Sequence, residues 1–129
     1  MTLSVVIATK DRASFLERAL ASLGQQRGAP RFDVVVADNG STDATPAVVE
    51  RRAAAADYPL TRVFVPEPNR GAARNRGVAA SHGDVIVFVD DDVVLPAGFL
   101  AAHAREHEAG RPVTTPSWRP KAWQLSRMK

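Results

Sequence analysis

The sequence predicts an α/β fold with a Rossmann-like parallel sheet, and two observations lead to this prediction. Four short apolar runs rich in valine and isoleucine alternate with segments whose apolar residues recur at helical spacing. The runs are apolar at nearly every position, which is typical of strands buried on both faces of a parallel sheet. Strands that alternate with helices favour one parallel sheet joined by right-handed crossovers.

The predicted elements follow the order β-α-β-α-β-α-β-α along the chain. The strands are expected at residues 3–8, 32–37, 60–65 and 84–89. The helices are expected at residues 14–23, 43–56, 72–80 and 96–109. Ser14 and Glu17 have the spacing of a capping box at the start of the first helix. Thr42 or Asp43 would cap the second helix, and Pro96 would begin the last.

Composition indicates one globular domain and excludes several other classes of protein. The 129 residues are 45% hydrophobic, which is enough to bury a core. The absence of cysteine excludes disulfides and thiolate metal sites. No apolar run is long enough to span a membrane, and Met1 leads directly into a strand without a signal-peptide pattern. We therefore expect a cytoplasmic protein, with peripheral membrane association left open.

The positive net charge comes from the end of the chain. The formal net charge is +3, but residues 111–129 carry five basic side chains and no acidic one. This region also holds three prolines and both tryptophans, without an apolar period. We expect a domain at residues 1–110 followed by a poorly ordered or loosely docked tail at residues 111–129. Because the domain itself is not basic, no nucleic acid partner is expected.

Three consecutive carboxylates follow the fourth strand, and they are the first candidate site. Ligands of open α/β sheets bind beyond the carboxyl ends of the strands, where Asp90, Asp91 and Asp92 would lie. Adjacent carboxylates repel one another unless a cation compensates them. Oxygen ligands suit Mg²⁺ or Mn²⁺, and these ions commonly share substrate phosphates. The alternative is a solvated acidic turn.

Two further segments point to a nucleotide. Asp38 ends the second strand, where an acid of a Rossmann-like unit commonly binds a nucleoside, although an Asx-turn with Asn39 is the alternative. Gly71 opens the third helix and Arg74 lies one turn in, so this helix start would attract a diphosphate. The alternative is a solvated basic helix face. Together, these segments predict a nucleoside diphosphate site.

One competing motif lies in the last helix. His103, Glu106 and His107 fit the His-x-x-Glu-His pattern of inverted zinc proteases. A catalytic zinc needs a third protein ligand, and no acidic residue follows Glu108. We therefore place the two histidines on the polar face of the helix. A phosphatase-like use of the aspartates is also disfavoured, because they follow the fourth strand and not the first.

The chain resembles the N-terminal half of a family 2 glycosyltransferase with the GT-A fold, across residues 3–109. Residues 4–12 are similar to that family's opening strand and turn, and residues 35–43 to its second strand with an Asp-Gly-Ser-Thr-Asp signature, Asn39 being added before the glycine. Residues 69–77 resemble its Asn-x-Gly-x-x-x-Asn-x-Gly segment, and residues 90–92 its DxD motif.

The resemblance implies a role for each of six residues. Asp38 would accept a hydrogen bond from the nucleotide base, in a pocket shared with Thr9 and Asp11. Arg74 would lie near the base or the diphosphate. Asp90 would face the ribose or the sugar. Asp92 would bind the Mn²⁺ or Mg²⁺ that accompanies the diphosphate. The donor would be a nucleoside-diphosphate sugar, with a UDP-sugar as first candidate, while the donor sugar and the acceptor stay undetermined.

The chain also departs from the family pattern. Family members have a second half with a catalytic base well past the DxD motif, and the faint Gln-x-x-Arg echo at Gln124 lies too close to it. We therefore expect a truncation or a frameshifted end. The alternative function is an inactive nucleotide-sugar-binding fragment without the acceptor half. An incomplete sheet would expose a strand edge, which predicts self-association.

Overall fold

The computed structural model describes residues 1–66 and 69–108, and it has the predicted alternation of strands and helices. The elements are β1 (Leu3–Thr9), α1 (Ala13–Leu23), β2 (Phe32–Asp38), α2 (Thr45–Ala55), β3 (Leu60–Phe64), α3 (Arg70–Ala79), β4 (Val85–Phe88) and α4 (Phe99–Glu108). The predicted α/β class is confirmed. The predicted domain boundary at residue 110 and the tail at residues 111–129 lie outside the described residues.

The four strands form one parallel sheet in the order β3-β2-β1-β4. The ladder pairs Leu3 with Phe32 and Thr9 with Asp38, so β1 and β2 begin and end at the same level. The fourth strand pairs with the first half of β1. Parallel pairing therefore brings the polar turns after β1, β2 and β4 to one edge of the sheet, as the sequence predicts. Within the described residues β3 and β4 are the edge strands; self-association through such an edge stays a prediction.

Both faces of the sheet are covered by helices. On one face, Val5, Ile7, Val34 and Val36 belong to a large apolar cluster with side chains of α1, α2 and α4. On the other face, two smaller clusters form between the sheet and α3; they contain Val6, Ile86, Phe88, Ala37, Val65 and Ala73. Burying each large aliphatic side chain stabilises the fold by about 1.5–3 kcal/mol. This double coverage is the reason that β1, β2 and β4 are mostly apolar, whereas the edge strand β3 is partly exposed and contains Thr61 and Arg62.

The starts of α1 and α2 differ from the prediction. The expected Ser14–Glu17 capping box does not form: the residue before α1 is Arg12, which makes no side-chain cap. The amide of Ala13 instead donates to Oδ2 of Asp43 at 3.1 Å. The same carboxylate accepts from the amide of Thr45 at 3.0 Å, although the N-cap position of α2 is Ala44 and not Thr42 or Asp43. One acid therefore supports two helix starts, a pairing that local sequence patterns do not contain.

The last two helices also begin away from their predicted positions. α3 starts at Arg70, two residues early, because Asn69 caps it by accepting from the amide of Ala72 at 3.0 Å. α4 starts at Phe99, and Pro96 lies in the preceding turn. Within the described ranges, no helix combines the length and apolar character needed to span a membrane.

The prediction that both histidines lie on the polar face of α4 is wrong for His103. Its side chain is buried, at 2% exposure, and its ring centroid lies 4.6 Å from that of Phe99. Burial, helped by the nearby His107, lowers the pKa of His103 to about 4. The ring is therefore neutral and forms part of the core. No cluster of three or more potential metal ligands includes it among the residues that the structure describes.

Candidate functional site

A cavity of about 670 Å³ opens at the carboxyl edge of the sheet, where the sequence places the site. Its charged lining consists of three arginines and three aspartates: Arg12, Arg70, Arg74, Asp90, Asp91 and Asp92. Its apolar wall includes Leu95 and Phe99, which follow the acids. The cavity therefore offers equal numbers of fixed positive and negative charges beside an apolar surface. This combination suits a ligand with a charged end and an uncharged body.

The three aspartates have different environments. Asp91 is buried, and its Oδ2 accepts a hydrogen bond from the hydroxyl of Thr9 at 2.9 Å. Asp92 is half-exposed, with 47% of its side chain accessible. Asp90 is exposed and lines the cavity. Asp91 is therefore anchored to β1, while Asp90 and Asp92 are more accessible to a ligand.

The cation that compensates these acids is Arg12. Its Nη1 lies 3.2 Å from Oδ1 of Asp91 and 3.4 Å from Oδ2 of Asp92. Asp91, and then Asp92, raises the pKa of the Arg12 guanidinium above its usual value. The sequence predicts that adjacent carboxylates need a cation. The contact to Arg12 was not predicted, because it joins turns 79 residues apart.

Arg70 and Arg74 occupy the first turns of α3 and face the same cavity. Unpaired amides and the helix dipole make such a helix start favourable for an anion. The structure thus places Arg74 beside the cavity, and its binding of an anion stays a prediction. Arg70 was not predicted as a site residue, although it lies in the same motif.

The motif glycine Gly77 sets the distance between α3 and the sheet. A Cβ at this position would lie 2.5 Å from Cγ1 of Val6 on β1. Such a contact is far inside van der Waals distance, so only glycine allows this approach. The approach brings the second half of α3 close to β1.

Gly77→Ala is expected to destabilise the protein by about 2 kcal/mol, because the added methyl forces α3 away from β1. The free energy of unfolding in urea measures this effect. Val6→Ala removes the methyl groups that would clash. In a Val6→Ala background, Gly77→Ala should therefore lower the free energy of unfolding by less than it does in the wild type. Gly98→Ala is the control, because a Cβ at Gly98 has no neighbour within 4 Å. Equal stability of the Gly77 and Gly98 variants would contradict this role.

Asp38 does not reach the cavity in this conformation. It has no exposed surface, and its two carboxylate oxygens already accept hydrogen bonds. Oδ1 accepts from the amide of Ser41 at 2.9 Å, and Oδ2 accepts from Nη1 of Arg62 at 3.0 Å. The turn that the sequence offers as an alternative is therefore present, with an ion pair added from β3.

Asp11 connects the turns after β1 and β2. It has a positive φ of 52°, which is uncommon for a residue with a side chain. Its Oδ1 accepts from the amides of Thr42 at 2.7 Å and Asp43 at 3.2 Å. Its own amide donates to Oγ of Ser41 at 2.9 Å. The exposed carboxylate of Asp11 thus holds the two turns together, and Asp11 does not line the cavity.

Asn39 is another residue whose role was not predicted. Its Oδ1 accepts from the amide of Asn69 at 3.2 Å, so it links the end of β2 to the cap of α3. The signal in the sequence is its position inside the family-like segment before Gly40. The contact itself depends on two turns that lie 30 residues apart.

The acidic end of the cavity fits a metal ion that is shared with a substrate. Within residues 1–66 and 69–108, no three histidine or acidic side chains are grouped to hold an ion alone. Mg²⁺ is usually held by one or two carboxylates together with substrate phosphates and water. Asp92 is half-exposed beside a cavity with three arginines, which matches such a shared site.

Comparison with known proteins gives matches over most of the chain. The sequence model of Glycosyl transferase family 2 matches residues 4–128. The glycosyltransferase YfnE of Bacillus subtilis is 37% identical over 110 residues, which are 84% of this chain and 27% of YfnE. Validoxylamine A glucosyltransferase of Streptomyces hygroscopicus subsp. limoneus is 37% identical over 111 residues, which are 79% of this chain and 24% of that enzyme. The chain spans about a quarter of the length of these relatives.

Solved structures show the same architecture. S. aureus TarS 1-349 in complex with UDP-GlcNAc superposes with a TM-score of 0.76 at 27% identity, covering 84% of this chain and 32% of that chain. The mannosyltransferase PcManGT from Pyrobaculum calidifontis, in complex with GDP-Man and Mn²⁺, superposes with a TM-score of 0.72 at 31% identity, covering 82% and 31%. The chain therefore belongs to glycosyltransferase family 2, and its parallel sheet is part of a GT-A fold.

Proposed function

We propose that this chain binds a nucleoside-diphosphate sugar with Mn²⁺ or Mg²⁺ and serves glycosyl transfer to an acceptor. The observation that carries the proposal is the cavity in which three arginines face three aspartates. Arginines suit a diphosphate, and exposed carboxylates suit a divalent ion. The ligands named for TarS and PcManGT, UDP-GlcNAc and GDP-Man with Mn²⁺, belong to the same chemical class.

The proposed roles are those that the resemblance to the family implies, with Arg70 added from the lining of the cavity. Asp92 would hold the metal, and Asp90 would bind the ribose or the sugar. Arg74, with Arg70, would bind the diphosphate. Thr9, Asp11 and Asp38 would form the side that accepts the base. Because Asp38 is covered by Arg62, its contact with a base requires Arg62 to turn aside.

Glycosyl transfer requires the site to stabilise the departing nucleoside diphosphate. When bound, the metal would stabilise negative charge on the departing nucleoside diphosphate. Arg70 and Arg74 would add fixed positive charge to the same leaving group, from a helix start that needs little reorganisation. The apolar wall after Asp92 would exclude water from the sugar. The residues in this cavity would therefore serve donor binding and leaving-group stabilisation.

The test is calorimetric titration of UDP and GDP, with and without Mn²⁺, into the wild-type chain and Asp92→Ala. We expect binding that depends on Mn²⁺, and we expect Asp92→Ala to weaken it by about a hundredfold or more, because the ligand is lost. Asp57→Ala is the matched control, since Asp57 is an exposed acid before β3, at the opposite edge of the sheet. Folded wild-type protein that binds neither nucleotide would contradict the proposal.

A second measurement separates transfer from binding alone. The alternative is a nucleotide-sugar-binding fragment that does not transfer sugar. Release of UDP from UDP-sugars in the presence of candidate acceptor mixtures would support the transferase. Tight, metal-dependent donor binding with no release would support the alternative.

A further inference from the structure

We propose that Arg12 is a built-in counter-cation of Asp91 and Asp92, which a divalent ion displaces so that the guanidinium can bind the diphosphate. The inference rests on the proposed function. It assigns Arg12 two successive partners, first the two carboxylates and then the diphosphate. Its first support is the contact itself. A single nitrogen of Arg12 reaches both carboxylates, at 3.2 and 3.4 Å. Strong charge-assisted bonds are shorter, at about 2.7–2.9 Å. The pairing is therefore loose enough to be exchanged.

The two carboxylates explain why the exchange needs another cation. Only 11% of the Asp91 side chain is exposed, and a carboxylate so covered requires a nearby positive charge. Asp92 is half-exposed and accessible to an ion from solvent. A divalent ion that reaches Asp92 would therefore compensate the charge next to Asp91 while Arg12 moves away.

The charge of the whole cavity supports coupled binding. Its lining holds three arginines and three aspartates, so the fixed charges cancel. A divalent ion alone leaves an excess of positive charge, and a diphosphate alone leaves an excess of negative charge. When both bind, the charges again nearly cancel, and each ligand favours the other. Release of Arg12 from the acids supplies a third arginine to the anion at the moment when the metal arrives.

The environment of Arg12 permits this movement. About half of its side chain is exposed, and its guanidinium carbon lies 5.5 Å from the ring centroid of Phe15. A cation over an exposed aromatic ring is held weakly, by about 0.5–1 kcal/mol. The alternative interpretation is a fixed ion pair that only tethers the loop after β4. The two interpretations differ in what happens to metal affinity when Arg12 is removed.

The test has two titrations. In the first, Mn²⁺ alone is added and electron paramagnetic resonance measures the free ion. In the second, UDP is added at saturating Mn²⁺. Arg12→Gln should bind Mn²⁺ alone roughly fivefold more tightly, because a competing charge is gone. The same variant should bind UDP roughly fivefold more weakly once Mn²⁺ is bound. Arg18→Gln is the matched control, because Arg18 in α1 also lies over the Phe15 ring, at 5.2 Å. Its two affinities should equal those of the wild type.

Opposite shifts of the two affinities would support the proposal. Unchanged or weaker Mn²⁺ binding in Arg12→Gln would overturn it. If wild-type and variant bind Mn²⁺–UDP with equal affinity, the proposed function stands and this inference is wrong. If neither binds UDP, the proposed function fails, and with it the second role of Arg12. Circular dichroism checks the fold; should Arg12→Gln be unfolded, Arg12→Lys is measured instead, with smaller shifts in the same directions expected.

Discussion

Arg62→Met is expected to lower the free energy of unfolding by about 3 kcal/mol, because it leaves the carboxylate of Asp38 buried without its cation. Asp38 has no exposed surface, and Arg62 is its ion-pair partner at 3.0 Å. Arg62 has 32% of its side chain exposed but Asp38 has none, so removing the arginine leaves a charge that stays out of water. Urea unfolding at neutral pH measures the loss.

A double-variant cycle checks that the loss comes from the pair. Asp38→Asn combined with Arg62→Met removes both charges, so the double variant should be more stable than the sum of the single losses predicts. Arg51→Met is a suitable control, because Arg51 pairs with Glu17 at 2.8 Å but 58% of its side chain is exposed. Its loss should be at most about 1 kcal/mol. Equal losses for Arg62→Met and Arg51→Met would contradict the importance of burial.

The second large effect is expected from pH. The pKa of His103 is lowered to about 4, whereas a histidine in the unfolded chain has an ordinary pKa of 6.5. Between these values the unfolded state binds a proton that the folded state does not. The stability from neutral His103 is therefore fully present above pH 6.5 and is lost progressively as the pH falls toward 4. The full loss amounts to about 3 kcal/mol.

The variant His103→Leu isolates this effect from the carboxylates that titrate in the same range. As the pH falls from 7 to 4.5, the free energy of unfolding of the wild type should decrease relative to that of His103→Leu. His82→Leu is the control, because His82 is exposed. If the difference in free energy of unfolding between wild type and His103→Leu did not vary with pH, His103 would be protonated as readily in the folded state as in the unfolded state, which would contradict this prediction.

Several features of the fold and of the site could be predicted from short-range sequence patterns. The order of the elements, the parallel sheet and the convergence of the turns after β1, β2 and β4 follow from apolar runs and their spacing. These features depend on neighbours in sequence and on the geometry of parallel strands, which is the same in every such sheet. Asp90, Asp92 and Arg74 were expected at the site, and all three line the cavity.

The partners of the charged groups depended on the tertiary structure. Arg12 pairs with Asp91, Arg62 with Asp38, and Asp43 supports the start of α1, although each pair is separated by 24 or more residues. Such contacts are set by strand register and by the depth at which each helix packs. For the same reason His103 is buried, although its residue type predicts the polar face of the helix. Residue types thus indicate the chemistry of this site, while packing decides which charge meets which.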